Sequence, residues 1–202
     1  MIDIAEDCGA DFVKFQLFPN LKEFIDTPFG KNAWLSPDIY LELKNHVTKA
    51  KKRVRLIASV FGQSELDFYV STNPEYIKFG YSQKDKTNWF SALCERGEKL
   101  IVSTDTMHRP SLFKHVNITK LYCISEYPVK YEIAFDEIFP TFDGFSDHTL
   151  GYQQTLRAVE MGAEWIEKHI KLEYADVTCP DSYFALNAKE AKEMCQKIRA
   201  IR

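Results

Sequence analysis

The sequence predicts an α/β protein: a (β/α)8 TIM barrel, with seven of its eight strands carried by this chain. Three observations predict it. Seven short apolar or β-branched runs recur along the chain, helical patterns separate most of them, and polar side chains gather at the C-terminal ends of the runs. Strand and helix alternating in one domain form a parallel sheet covered by helices. Closing a barrel takes eight strands. The chain opens instead on "MIDIAEDCG", the last turns of a helix ending at Gly9. An open doubly wound sheet is the alternative architecture. Residues 1–202 are expected to form one domain, since 45% hydrophobic residues supply apolar mass for a large core.

The strand runs are "DFVKFQLF", "RVRLIASVF", "EYIKFG", "KLIVSTD", "KLYCISEYP", "FDGFSDHT" and "AEWIEKHI". Between the first two, "SPDIYLELKNHVTKAKK" predicts a helix with Ser36 as N-cap and Pro37 at its first position. Tyr40, Leu43, Val47 and Ala50 fall on one face. "DKTNWFSALCERG" predicts a helix ended by Gly97, and "TLGYQQTLRAVEMG" one ended by Gly162. Asn187 followed three residues on by Glu190 marks a capping box at the start of the last helix.

Composition excludes several classes. A net charge of -3 offers no basic footprint for nucleic acid. No stretch reaches the roughly 18 apolar residues of a membrane span. The acidic N-terminus lacks a secretory signal pattern. Cys8, Cys94, Cys123, Cys179 and Cys195 are odd in number and scattered, so they read as reduced thiols. A cytoplasmic protein is expected.

Side chains alternate faces along a strand, so the polar residues sort by parity. Lys14 and Gln16 share one face in the first run. Ser59, Lys78 and Ser103 occupy the ends of the next three, with Asp105 on the parity of Ser103. Cys123, Ser125 and Tyr127 go together, as do Ser146 with His148 and Glu167 with His169. Asp105 and Cys123 read as loop or packing residues. The C-terminal strand ends are where parallel α/β folds bind ligands. Neighbouring parallel strands lie about 4.8 Å apart, close enough to aim His148 and His169 at one point. Two neutral imidazoles suit a divalent metal and leave positions open for water and substrate. Asp181 could support such a site or hold a substrate hydroxyl. The bland alternative has His148 capping a turn beside Asp147 and His169 packing inside the barrel.

Five segments, "GADFVKFQ", "YCISEYP", "GFSDHTLGY", "GAEWIEKHI" and "PDSYFAL", closely resemble the sialic acid synthase (N-acetylneuraminate synthase) family, in the family's order. The resemblance implies a barrel enzyme, a transferase that condenses phosphoenolpyruvate with an open-chain N-acyl hexosamine. The products are a nine-carbon α-keto sugar acid and phosphate. It implies His148 and His169 as ligands of a divalent metal, Mn first, with Mg or Co as alternatives. It assigns Lys14, Lys78, Ser103 and Ser146 to phosphoenolpyruvate, and Gln16, Tyr127 and Asp181 to the amino sugar. Ser59 and Ser125 are the nearest equivalents of two further substrate-contacting positions. A homodimer is the assembly the family suggests.

The chain departs from the family pattern in places. Where the family has K-I-x-S-G-E it reads "KFGYSQ", with Tyr81 and Gln83, and S-T-G-M becomes "STDTM", bringing in Asp105 and Thr106. The family's first strand and its C-terminal antifreeze-like domain have no counterpart in these residues. Two other readings stand beside the synthase: an inactive remnant or sugar-phosphate-binding subunit of the same family, and a two-histidine metal hydrolase.

Overall fold

The computed structural model describes residues 1–19, 26, 34–105, 117–139, 141–173, 175 and 181–202. Seven strands form one parallel sheet in sequence order: β1 (Phe12–Leu17), β2 (Arg55–Val60), β3 (Ile77–Phe79), β4 (Leu100–Thr104), β5 (Ile118–Cys123), β6 (Gly144–Asp147) and β7 (Trp165–Lys168). All seven predicted runs become strands. Among the described residues no backbone pairing joins β7 to β1, yet the sheet curls until their inward side chains meet. The Phe12 and Trp165 rings stack at 5.6 Å, and Lys14 Nζ lies 3.7 Å from Glu167 Oε2. The fold is thus a curled, incomplete barrel of seven strands, not an open doubly wound sheet.

The helices are α1 (Ile2–Cys8), α2 (Pro37–Lys49), α3 (Gln63–Ser71), α4 (Thr87–Glu95), α5 (Gln153–Glu160) and α6 (Ala188–Ile201). The predicted caps have physical partners. Ser36 Oγ accepts from Ile39 N at 3.2 Å. Asn187 Oδ1 accepts from Glu190 N, while Glu190 Oε2 accepts from Asn187 N, both at 2.9 Å. Gly9 adopts φ 80° after α1 and sends its N–H back to Glu6 O, a conformation that a Cβ would oppose. Two details differ from expectation. Ala50 is the exposed C-cap of α2, so the buried face of that helix rests on Tyr40 with Leu43 and Val47 half-buried. The helix α3 lacked a capping signal, because Gly62 precedes it with no side-chain acceptor.

Strand parity organises the interior in layers. At the bottom, Ile57, Ile101 and Leu121 pack with Phe12, Tyr76 and Trp165. The next inward layer toward the strand C-termini is polar: Lys14, Ser59, Lys78, Ser103, Ser146 and Glu167. Outward positions of β1 to β3 are apolar and face the helices: Val13, Leu17, Ala58, Val60, Ile77 and Phe79 are all buried. Burying such a layer contributes roughly 25 cal/mol per Å² of apolar surface removed from water. The apolar bottom layer thus sets a firm floor beneath the polar one. No helix among the described residues is long and apolar enough to cross a membrane.

Candidate functional site

A cavity of about 310 Å³ opens at the C-terminal ends of the strands. Every residue assigned from the sequence to metal or substrate lines it: Lys14, Gln16, Ser59, Lys78, Ser103, Ser125, Tyr127, Ser146, His148, His169 and Asp181. They come from all seven strands and the loops that follow, so only the curled sheet could bring them together. Glu167, Cys123, Tyr81, Ser82, Phe18, Phe61 and Gly80 complete the wall. Cys123 is therefore a cavity residue as well as a packed one, being 1% exposed with Sγ 3.9 Å from His148 Nδ1. Parity places its Cβ on the inward face with Ser125. Thr106 and Cys179 lie outside the described residues.

The floor of the cavity is a charged knot. Glu167 Oε2 sits 3.7 Å from Lys14 Nζ and 3.6 Å from Lys78 Nζ, while its Oε1 accepts from Ser146 Oγ at 2.8 Å. Lys78, 1% exposed, also donates to Ser103 Oγ at 2.7 Å and to Phe79 O at 2.9 Å. Burial opposes charge on Glu167, yet the two ammoniums together outweigh it and hold the carboxyl well below the usual carboxylate range. Burial pushes the Lys78 ammonium below its ordinary value, and Glu167 works against that shift. Ser59 donates to Phe15 O at 3.4 Å beside this knot. Glu167 was visible in sequence only as a residue on the parity of His169. Its partners on β1, β3 and β6 are distant in the chain, so its role needed the fold.

Above the floor sit the two imidazoles. Each follows the last residue of its strand, His148 after Asp147 and His169 after Lys168. Their rings are 5.4 Å apart, and Phe184 lies within 5.9 Å of both. Tyr127, 53% exposed at the cavity mouth, lies tilted against His148 with ring centroids 4.3 Å apart. His148 Nδ1 is 3.0 Å from the Ile124 carbonyl, an acceptor, so Nδ1 carries the hydrogen and Nε2 keeps its lone pair. His169 Nδ1 lies 3.3 Å from Asp181 Oδ2, a carboxylate that favours hydrogen on the same ring nitrogen. Burial, then Lys14, pushes His169 down to about 3, and burial lowers His148 as well. Both rings are therefore neutral at physiological pH.

This donor set fits a divalent metal held by two imidazoles. Neutral rings, Nε2 lone pairs left free, and an Nδ1–H anchored on a carbonyl or carboxylate are what a histidine ligand needs. No cluster of three or more His, Cys, Asp and Glu side chains with ligand geometry occurs among the described residues. The turn beside His148 is capped by Asp147, whose Oδ1 accepts from Thr149 N at 2.7 Å. His148 is thereby free to face the cavity.

At the rim, two departures from the family pattern turn out to be partners. Tyr81, in the turn Tyr81–Gln83, donates to Asp105 Oδ2 at 2.6 Å. Lys84 Nζ contacts Asp105 Oδ1 at 2.8 Å and Tyr81 Oη at 2.6 Å. The trio ties the exit of β3 to that of β4, so Asp105 is a rim residue bound to its neighbours.

Comparison with known proteins agrees with this geometry. The chain is 28% identical to the N,N'-diacetyllegionaminic acid synthase of Campylobacter jejuni, over 100% of this chain and 70% of that one. It is 24% identical to the N-acetylneuraminate-9-phosphate synthase of Mus musculus, over 100% of this chain and 64% of that relative. The crystal structure of the N-acetylneuraminic acid synthetase from Leptospira borgpetersenii serovar Hardjo-bovis, in complex with citrate, superposes with a TM-score of 0.85 at 26% identity. It covers 100% of this chain and 76% of that one. A model of the NeuB family matches residues 1–202 from end to end, and with the seven-stranded barrel and its cavity in place the chain belongs to that family.

Proposed function

We propose that the cavity condenses phosphoenolpyruvate with an N-acyl hexosamine-type aldose, giving a sialic-acid-like nine-carbon α-keto acid and phosphate. The observation that carries this reading is the convergence of Lys14, Lys78, Ser103 and Ser146 on one polar floor beneath two neutral imidazoles. Phosphoenolpyruvate presents a phosphate and a carboxylate, and ammonium and hydroxyl donors are the groups that hold such anions. Lys78 and Lys14 would anchor them, with the Ser103 hydroxyl donating beside Lys78 and the Ser146 hydroxyl turning from Glu167 to donate once the anion is bound. Glu167 keeps both ammoniums in register before the substrate arrives and accepts the Ser146 hydroxyl.

Gln16, Ser59, Ser125, Tyr127 and Asp181 line the remainder of the cavity and would orient the sugar. In the reaction, carbon 3 of the enol ester bonds to the aldehyde carbon and the aldehyde oxygen gains a proton. Water adds at carbon 2, whose bond to the phosphate oxygen then breaks. Holding the two substrates against each other supplies part of the rate enhancement by removing translational freedom. His148 and His169 would hold the divalent metal, Mn first, and that ion when bound would polarise the aldehyde oxygen as a Lewis acid.

The test supplies phosphoenolpyruvate with N-acetylmannosamine, its 6-phosphate and diacetamido-dideoxy relatives, with and without Mn, and measures phosphate and α-keto acid. Stoichiometric release of phosphate with formation of the keto acid is expected. Silence across the panel, by a folded protein that still binds phosphoenolpyruvate, would favour the binding-subunit reading instead. His169→Ala should abolish Mn uptake. Retained uptake would remove the ring from the metal site.

A further inference from the structure

We infer that the buried Asp147–Lys168 pair is a positioning device that fixes the two imidazoles against each other from behind the barrel wall. The inference extends the proposed function by assigning a role to residues outside the cavity. Asp147 and Lys168 are register partners across β6 and β7. Each immediately precedes a histidine. By strand alternation they face outward while His148 and His169 face in.

The pair is nearly sealed, with side chains 0% and 1% exposed and Nζ 3.1 Å from Oδ2. Its remaining valences are used locally. Asp147 Oδ2 accepts from Thr155 Oγ1 at 2.6 Å, Asp147 Oδ1 accepts from Thr149 N, and Lys168 Nζ donates to Thr149 O. The chain just beyond each histidine is also clamped, since His148 O accepts from Val129 N and His169 O from Leu186 N. The backbone on both sides of each ring is thus pinned, and the ion pair ties one pinned segment to the other.

A stability role alone does not account for the pair. Desolvating two charges offsets most of their attraction, and apolar residues of similar volume are often as stabilising. The outward positions of β1 to β3 are filled in that apolar way. What an ion pair adds is direction, because only one register of β6 against β7 joins carboxylate to ammonium. That register is the one that brings His148 and His169 to 5.4 Å.

The test is the double variant Asp147→Asn with Lys168→Met, which keeps shape and removes both charges together. Its melting temperature should stay within a few degrees of the parent. Long-range ¹H–¹⁵N spectra of the metal-free protein should show single Nδ1–H tautomers for His148 and His169 in the parent. In the double variant the same signals should shift toward averaged tautomers. Mn affinity, read by electron paramagnetic resonance, should fall about 10- to 100-fold, the usual cost of losing a group that orients a ligand. Unchanged ring spectra in a folded double variant would overturn the inference. A parent that binds no Mn would overturn the metal reading, while the ring spectra would still decide whether the pair positions the histidines.

Discussion

Replacing Glu167 with Gln separates the charge knot from the rest of the cavity. At an effective dielectric of about 20, Coulomb's law gives about 5 kcal/mol for the 3.6 Å contact with Lys78 alone. Part of that is recovered. Lys78 keeps its bonds to Ser103 and Phe79, and Gln can still accept from Ser146. A net loss of about 3 kcal/mol is expected, at the low end for a buried charge left without its partner. For a chain of this size that corresponds to a fall in Tm of about 6–12 °C. The decisive part is the rescue. With the carboxylate gone, Lys14 and Lys78 lack a counter-ion, so phosphate or phosphoenolpyruvate should restore more Tm in Glu167→Gln than in the parent. Differential scanning fluorimetry against anion concentration reads both effects. An unchanged Tm, or equal anion stabilisation of the two proteins, would refute the account of Glu167 as the resident counter-ion of the floor.

Two further outcomes follow from the same geometry. Lys78→Met should weaken phosphoenolpyruvate binding about 10- to 150-fold, the loss of one hydrogen bond to a charged group. Tm should fall by less than in Glu167→Gln, because Glu167 keeps Lys14; titration calorimetry and a thermal melt check both parts. The second outcome concerns acid pH in the presence of chelator. Folding holds His169 at about 3, below its ordinary value of about 6.5, so the unfolded chain binds the proton first. The stability this confers is complete above about pH 6.5 and drains away as pH falls toward 3. Between about pH 7.5 and about pH 5 the parent should lose about 2 kcal/mol more than His169→Asn in urea unfolding. Equal losses in the two proteins would show that the ring is solvated in the folded state.

Much of the fold and the site was legible because both rest on short periods. Two-residue alternation in "DFVKFQLF" and "AEWIEKHI" puts Lys14 with Gln16 and Glu167 with His169 on shared faces, and in the fold those faces point inward. Capping chemistry at Ser36 and Asn187 is equally local, and both caps formed. The family motifs then supplied roles that periodicity cannot. Less visible were elements without a local marker. The helix Gln63–Ser71 starts after Gly62 with no side-chain cap, and between β5 and β6 the short helical turn Phe135–Glu137 has no side-chain cap either.

By itself the sequence determined the strand faces, the alternation that makes the sheet parallel, and the residue types available to a site. Alternation and capping are set by neighbours within a few positions, so they survive without the rest of the molecule. Only the tertiary structure decided that Glu167 would hold Lys14 and Lys78 together, that Tyr81 and Asp105 would be partners, and that Asp147 would meet Lys168. Those pairings depend on how far seven strands curl and in what register they lie. Curl and register are properties of the packed sheet, which no single stretch of chain encodes.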